Sequence, residues 1–143
     1  NFKSQKEYAL HLAKNTINNL LTSSNETQII LRSCYAIAAL TGDSSNQEWI
    51  NNELSGYSKK TDIDDKTIPG YRKYRSLVKN ENVRYFVEHS IHQIEHATRK
   101  NEPLNVWHDY TYKSSSTLTP QLGNVIINEI QDRCLKFLIE KIT

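Results

Sequence analysis

Five stretches of this chain place apolar residues at helical spacing, each bounded by a start or stop signal, and that pattern most limits the folds open to it. The first runs from Ser4 to Leu21, with Leu10, Ala13, Ile17, Leu20 and Leu21 on its apolar side. Ser4 and Glu7 have the spacing of a capping box, in which each side chain meets a free amide of the first turn. The second runs from about Glu26 to Leu40 and is apolar most of the way round, so it is expected near the centre of the domain. "TGDSS" ends it at Gly42. Ser45 and Glu48 repeat the capping-box spacing and open a short third helix to about Ser55. A fourth is expected over about Glu81 to Lys100, with Arg99 and Lys100 suited to its negative end. Thr119 caps the last helix, Pro120 fits its first position, and it continues to about Lys141. Residues 105 to 113 alternate weakly and suggest a short strand, and "SSST" after them reads as a loop. The expected fold is all-α: a compact bundle of about five helices, with a long irregular loop between helices 3 and 4 over residues 56 to 76.

At 143 residues the chain suits a single domain able to bury a core without staples. It contains no Met, as expected of a domain cut from a longer protein. The formal net charge is only +2, so no strong field favours nucleic acid or an anionic membrane. No apolar run approaches the ~20 residues of a membrane span, and no secretion signal opens the chain. Cys34 and Cys134 lie in apolar helical stretches and read as small buried hydrophobes in a reducing compartment. Their positions leave a bridge between them open. The expected location is cytoplasmic, with no membrane association and no cofactor.

The most informative stretch is "WINNELSGY", residues 49 to 57, followed by "PGYRKY" at 69 to 74. Trp49 and Glu53 are four apart and share a helix face. Trp49, Ile50 and Leu54 can supply a buried stripe. Gly56 sits where helices end in a left-handed residue, and Tyr57 can fold back over that end. Pro69 and Gly70 make a second turn that presents Tyr71 and Arg72. These are the residue types of a capped corner. Glu53 pairing with Arg72 would pin the loop to the third helix through a bidentate contact. Arg133 reads as one half of an i,i+4 pair with Glu129, or as a buried charge answering Asp132 or Glu53.

These residues carry a family likeness. "WINNELSGY" with the later "PGYR" resembles the signature of the AbiTii domain family of bacterial abortive-infection and anti-phage proteins. "IILRSCYAIAALTGDSSNQEW" resembles the family's leading helix and its polar turn before the Trp. "NVIINEIQDRCLKFLIEKI" resembles its closing helix. The residues that transfer are Trp49, Glu53, Leu54, Gly56, Tyr57, Pro69, Tyr71 and Arg72, with Arg133 beside them. Nothing transfers between about 76 and 118. The resemblance implies a phage-defence setting and assigns no catalytic residue.

Three function classes compete. The first is a non-catalytic module that senses, oligomerises or holds a protein partner or effector domain of a defence system. Trp107, Tyr110 and Tyr112 are its candidate surface anchors, because aromatic side chains give much contact area at low entropic cost. The second binds nucleic acid through "YRKYRSLVK", where Arg72, Lys73, Tyr74, Arg75 and Lys79 mix cations with aromatics. Asp62, Asp64 and Asp65 cancel part of that charge. The third is a hydrolytic toxin built on His89, His92 and His96, which a continuous helix would place within about 60° of one another. That face is shared with Tyr85, Gln93, Arg99 and Lys100 and reads as solvated, and no HExxH accompanies it. The chain has no GxSxG elbow, no GxGxxG and no P-loop. The balance favours a binding module over an enzyme.

Overall fold

The computed structural model describes residues 2–22, 26–78, 81–107 and 115–143. The described residues are mostly helical and form five α-helices and two small antiparallel strand pairs. Its contacts divide it into two compact units, Asn1–Leu54 with Asn128–Thr143, and Ser55–Ile127.

In the first unit, α1 spans Gln5–Thr22, α2 spans Thr27–Leu40 and α3 begins at Ser44 and ends at Ser55. The last helix, α5, is Pro120–Ile142, and its residues from 128 onward belong here. Helix α1 turns Ala9, Ala13 and Thr16 inward, at i, i+4 and i+7. Helix α2 buries Thr27, Ile30, Leu31, Cys34, Ile37 and Ala38. Ile29 and Tyr35 of the same helix remain exposed. Helix α5 answers with Ile130, Cys134, Phe137 and Leu138. Each such aliphatic side chain contributes about 1.5–3 kcal/mol on burial. Gln131 Nε2 donates to Thr27 Oγ1 at 3.0 Å and fixes the register of α5 on α2.

The cap of α3 differs from the sequence expectation. Asp43, not Ser45, accepts the Asn46 amide at 3.2 Å and the Asn46 side chain at 2.8 Å. A carboxylate gains more than a hydroxyl from the positive helix end, so it takes the capping place. Lys141 Nζ lies 2.8 Å from the same carboxylate. Burial works to raise the Asp43 carboxyl, but the bonds from Lys141 and Asn46 outweigh it and hold it below its ordinary value. Ser4 caps α1 as expected, accepting from Glu7 N at 3.1 Å. Glu7 reaches back to Lys3 N at 3.2 Å.

In the second unit the helix expected over 81–100 is corrected. A 3-10 turn, Gly70–Arg72, leads into β1, Lys73–Val78, which pairs antiparallel with β2, Glu81–Phe86. Only then does α4 begin, at Ile91, running to Arg99. The reason lies in a shared periodicity. Val83, Val87, Ile91 and Ile94 satisfy a helical template, but Val83, Tyr85 and Val87 are all buried and also alternate. The true start of α4 is the capping box of Ser90 and Gln93, with Gln93 N donating to Ser90 Oγ at 3.3 Å and Ser90 N to Gln93 Oε1 at 3.0 Å. Asn101 stops the helix in a left-handed conformation, φ 56°. Of the segment 105–113 expected to hold a short strand, residues 108–113 lie outside the described residues, and residues 105–107 lie in β3, Leu104–Trp107. Its partner β4, Ser115–Leu118, occupies the "SSST" stretch read as a loop. Only Leu118 there is apolar, so the sequence carries no alternation to reveal it. Thr119 Oγ1 then accepts Leu122 N at 3.3 Å and opens α5 at Pro120.

Candidate functional site

The signature residues Gly56, Tyr57 and Arg72 meet on one short segment, the strap from Val87 to Ser90 that joins β2 to α4. Gly56 follows α3 with φ 89°, a left-handed conformation. A Cβ built there would lie 2.7 Å from Glu88 O and 3.1 Å from Ser90 N. The strap therefore passes directly over the glycine. One residue on, Tyr57 N donates to Glu88 O at 2.6 Å.

Arg72 completes the clamp from the other side. The 3-10 turn begins at Pro69, whose carbonyl accepts Arg72 N at 3.0 Å. The Arg72 side chain is 0% exposed. Its Nη1 donates to Val87 O at 2.8 Å and to His89 O at 2.6 Å. Val87 N donates back to Arg72 O at 2.8 Å. The guanidinium carbon stands 4.7 Å from the centroid of the buried Tyr57 ring. Three successive strap carbonyls, 87, 88 and 89, are thus each satisfied by a signature residue. A buried cation is expensive unless its donors are bonded, and here carbonyls and a π-face replace water.

His89 is half-buried beside this clamp, and its Nδ1 is buried with no hydrogen-bond partner among the described residues. Burial pushes its pKa down; Arg72 adds to the effect and Glu88 opposes it. His89 lies before α4, while His92 and His96 are exposed on it, with ring centroids 6.1 Å apart. The three histidines do not share one helix. Among the described residues no three His, Cys, Asp or Glu side chains are grouped to hold a metal.

Tyr71 O accepts Tyr74 Oη at 2.9 Å, and Leu54 and Pro69 are half-buried. Glu53 is fully buried on α3. Arg133 is exposed on α5, and its guanidinium carbon stands 4.1 Å over the buried Trp49 ring. That cation–π contact links two signature positions that the sequence could not pair. Arg133→Ala is expected to lower stability by about 0.5–1 kcal/mol, the value of such a contact at an exposed site. Urea unfolding measures it; Arg133→Lys should recover part, and an unchanged midpoint for Arg133→Ala would show the contact is idle.

Cys34 and Cys134 are free, buried and adjacent. A thiol–thiol hydrogen bond with Cys34, together with burial, pushes the Cys134 thiol well above its ordinary value. Both side chains are closed off from solvent.

Of the basic segment, Arg72 is withdrawn into the core, and Lys79 lies outside the described residues. Lys73 and Tyr74 are half-buried, and Arg75 is exposed. Arg84, which helical reading of 81–86 concealed, lies opposite Arg75 across the ribbon. Asp64 accepts from Arg84 Nη1 at 2.8 Å and Nη2 at 3.3 Å. The Arg84 guanidinium holds the Asp64 carboxyl below the ordinary range. Tyr110 and Tyr112 lie outside the described residues, and Trp107 is placed only as the last residue of β3.

The fold and this site define a mostly helical domain whose signature residues clamp a backbone segment. The AbiTii family model matches residues 11–140, and the chain belongs to this family of abortive-infection proteins. No curated protein and no solved structure gives a significant match. Among the described residues, no helix is long and apolar enough to cross a membrane.

Proposed function

We propose that this domain is a non-catalytic interaction module of a bacterial abortive-infection defence protein, acting in the cytoplasm by docking a protein partner. The observation that carries this reading is the fate of the signature. Tyr57 N and Arg72 Nη1 donate to backbone carbonyls of the strap, and Gly56 lets the strap pass close, which suits a platform. Exposed aromatics gather at the start of α1 and just before it. The Phe2 ring lies 5.1 Å from Tyr8 and 4.8 Å from His11, and both Phe2 and Tyr8 are exposed. Clustered exposed aromatics are the usual anchors of protein contacts.

Phage plating on cells carrying the natural protein tests this. The Phe2→Ser, Tyr8→Ser double variant is expected to lose protection. The His92→Ala, His96→Ala double variant is expected to keep it. Both purified variants should retain the parent's unfolding midpoint, because all four side chains are exposed. Protection lost with the histidines and kept without the aromatics would replace this reading with the hydrolytic one.

A further inference from the structure

The β1–β2 ribbon has two unlike faces. Cross-strand partners share a face, so Tyr74 and Tyr85 lie on one, together with Val83 two residues before Tyr85. Tyr85 and Val83 are buried, which fixes that face inward. The other face carries Lys73 with Phe86, Arg75 with Arg84, and Leu77 with Asn82. Arg75, Leu77, Asn82 and Arg84 are all exposed, and Leu77 reaches 72%. Cations therefore occupy the base and middle of the outward face, and an apolar and an amide side chain occupy its far end.

Two features of this face ask for an anion. Arg75 and Arg84 are directly opposite, an arrangement that destabilises a strand pair unless the charge is answered. Among the described residues Arg75 has no ion pair. Arg84 is answered by the Asp64 carboxylate, held in a two-pronged contact at 2.8 and 3.3 Å. A phosphate presents the same paired oxygens to a guanidinium fork. Beside them lies a cleft of about 230 Å³ lined by Ile63, Lys73, Tyr74, Arg75 and Arg84.

We propose that this outward face binds duplex DNA, the ribbon entering the major groove with Lys73, Arg75 and Arg84 on phosphates and Leu77 and Asn82 toward base edges. The major groove, about 12 Å wide, admits a two-stranded ribbon, whereas that of an RNA duplex is too narrow. An amide can bond adenine edges, and an apolar tip can meet a thymine methyl. Single strands are disfavoured, because Tyr74 is no open stacking platform. Its hydroxyl donates to Tyr71 O, and its ring lies 5.8 Å from that of Tyr85. Asp64 acts as an internal competitor, occupying the Arg84 fork until a phosphate displaces it. This role goes beyond the protein docking proposed above and stands without it.

Fluorescence anisotropy with a labelled, mixed-sequence DNA duplex of about two helical turns tests the proposal at low salt. Binding is expected to weaken linearly in log salt. Arg75→Ala and Arg84→Ala should each weaken it roughly tenfold at ~0.1 M salt, the effect of one phosphate contact, and lower the slope by about one. Asp64→Asn should tighten binding by a similar factor, which a merely structural ion pair would not do. All three positions are exposed, and far-UV circular dichroism confirms that each variant is folded. No binding, binding indifferent to these variants, or tighter binding of an RNA duplex or single strand would overturn the assignment.

Discussion

Arg72→Met is expected to destabilise the domain by about 3–5 kcal/mol, a large part of the 5–15 kcal/mol that holds a typical domain folded. Met keeps the apolar stem and most of the volume, so the loss isolates the guanidinium. Two strap carbonyls, Val87 O and His89 O, lose their donor inside the protein. Each unanswered buried carbonyl costs about 1–3 kcal/mol. The cation over Tyr57 is lost as well. With a urea m-value near 2 kcal/mol/M, the midpoint should fall by about 2 M. Arg72→Lys restores the charge but not the planar fork, and should recover only a minor part. Amide exchange should rise first at residues 87–90 and the opening turn of α4. A midpoint shift below about 0.5 M would show that Arg72 is dispensable to the fold, and would return it to the list of surface cations.

The helices at both ends of the chain were legible because their start signals are local and unshared. Thr119 and Pro120 mark α5, and Ser4 marks α1, before any tertiary contact is known. The β1–β2 ribbon was not legible for an equally physical reason. Val83, Val87, Ile91 and Ile94 fit a helix, and nothing in one sequence says that the chain turns at 87–90. One signal did exist. Ser90 and Gln93 spell the capping box of α4, and placing the helix start there would have released 81–86 for a strand.

The site divides along the same line. Gly56 as a left-handed helix end was readable from residue type alone. That Arg72 would serve backbone carbonyls was not, because a guanidinium announces charge and not its acceptor. Residue type suggests acidic acceptors such as Glu53 or a phosphate, and says nothing of main-chain ones. The strap that takes its Nη1 donor bonds lies fifteen to seventeen residues downstream, through main-chain atoms that any sequence would supply. Arg84 was hidden by the helix assignment and Arg133 by ordinary i,i+4 arithmetic. A contact across α3 and α5 leaves no trace in spacing.

Gly56→Ala is expected to cost about 3–5 kcal/mol, and Gly42→Ala only about 1–2 kcal/mol. Both glycines hold positive φ, at 89° and 67°, so each pays the left-handed penalty of a side chain. They differ in what a methyl group would meet. At Gly42 nothing lies within 4 Å. At Gly56 the Cβ would stand 2.7 Å from Glu88 O and 3.1 Å from Ser90 N, both backbone atoms that cannot rotate aside. Relief requires the strap to move, and the strap carries the Tyr57–Glu88 hydrogen bond and both Arg72 bonds. Displacing it also shifts Ser90, the cap of α4. The difference between the two variants, about 2–3 kcal/mol, therefore measures the clamp separately from backbone strain. Urea unfolding of the pair gives that difference directly. Equal losses would mean that the glycine serves only the helix end, and that the close approach of the strap does not require it.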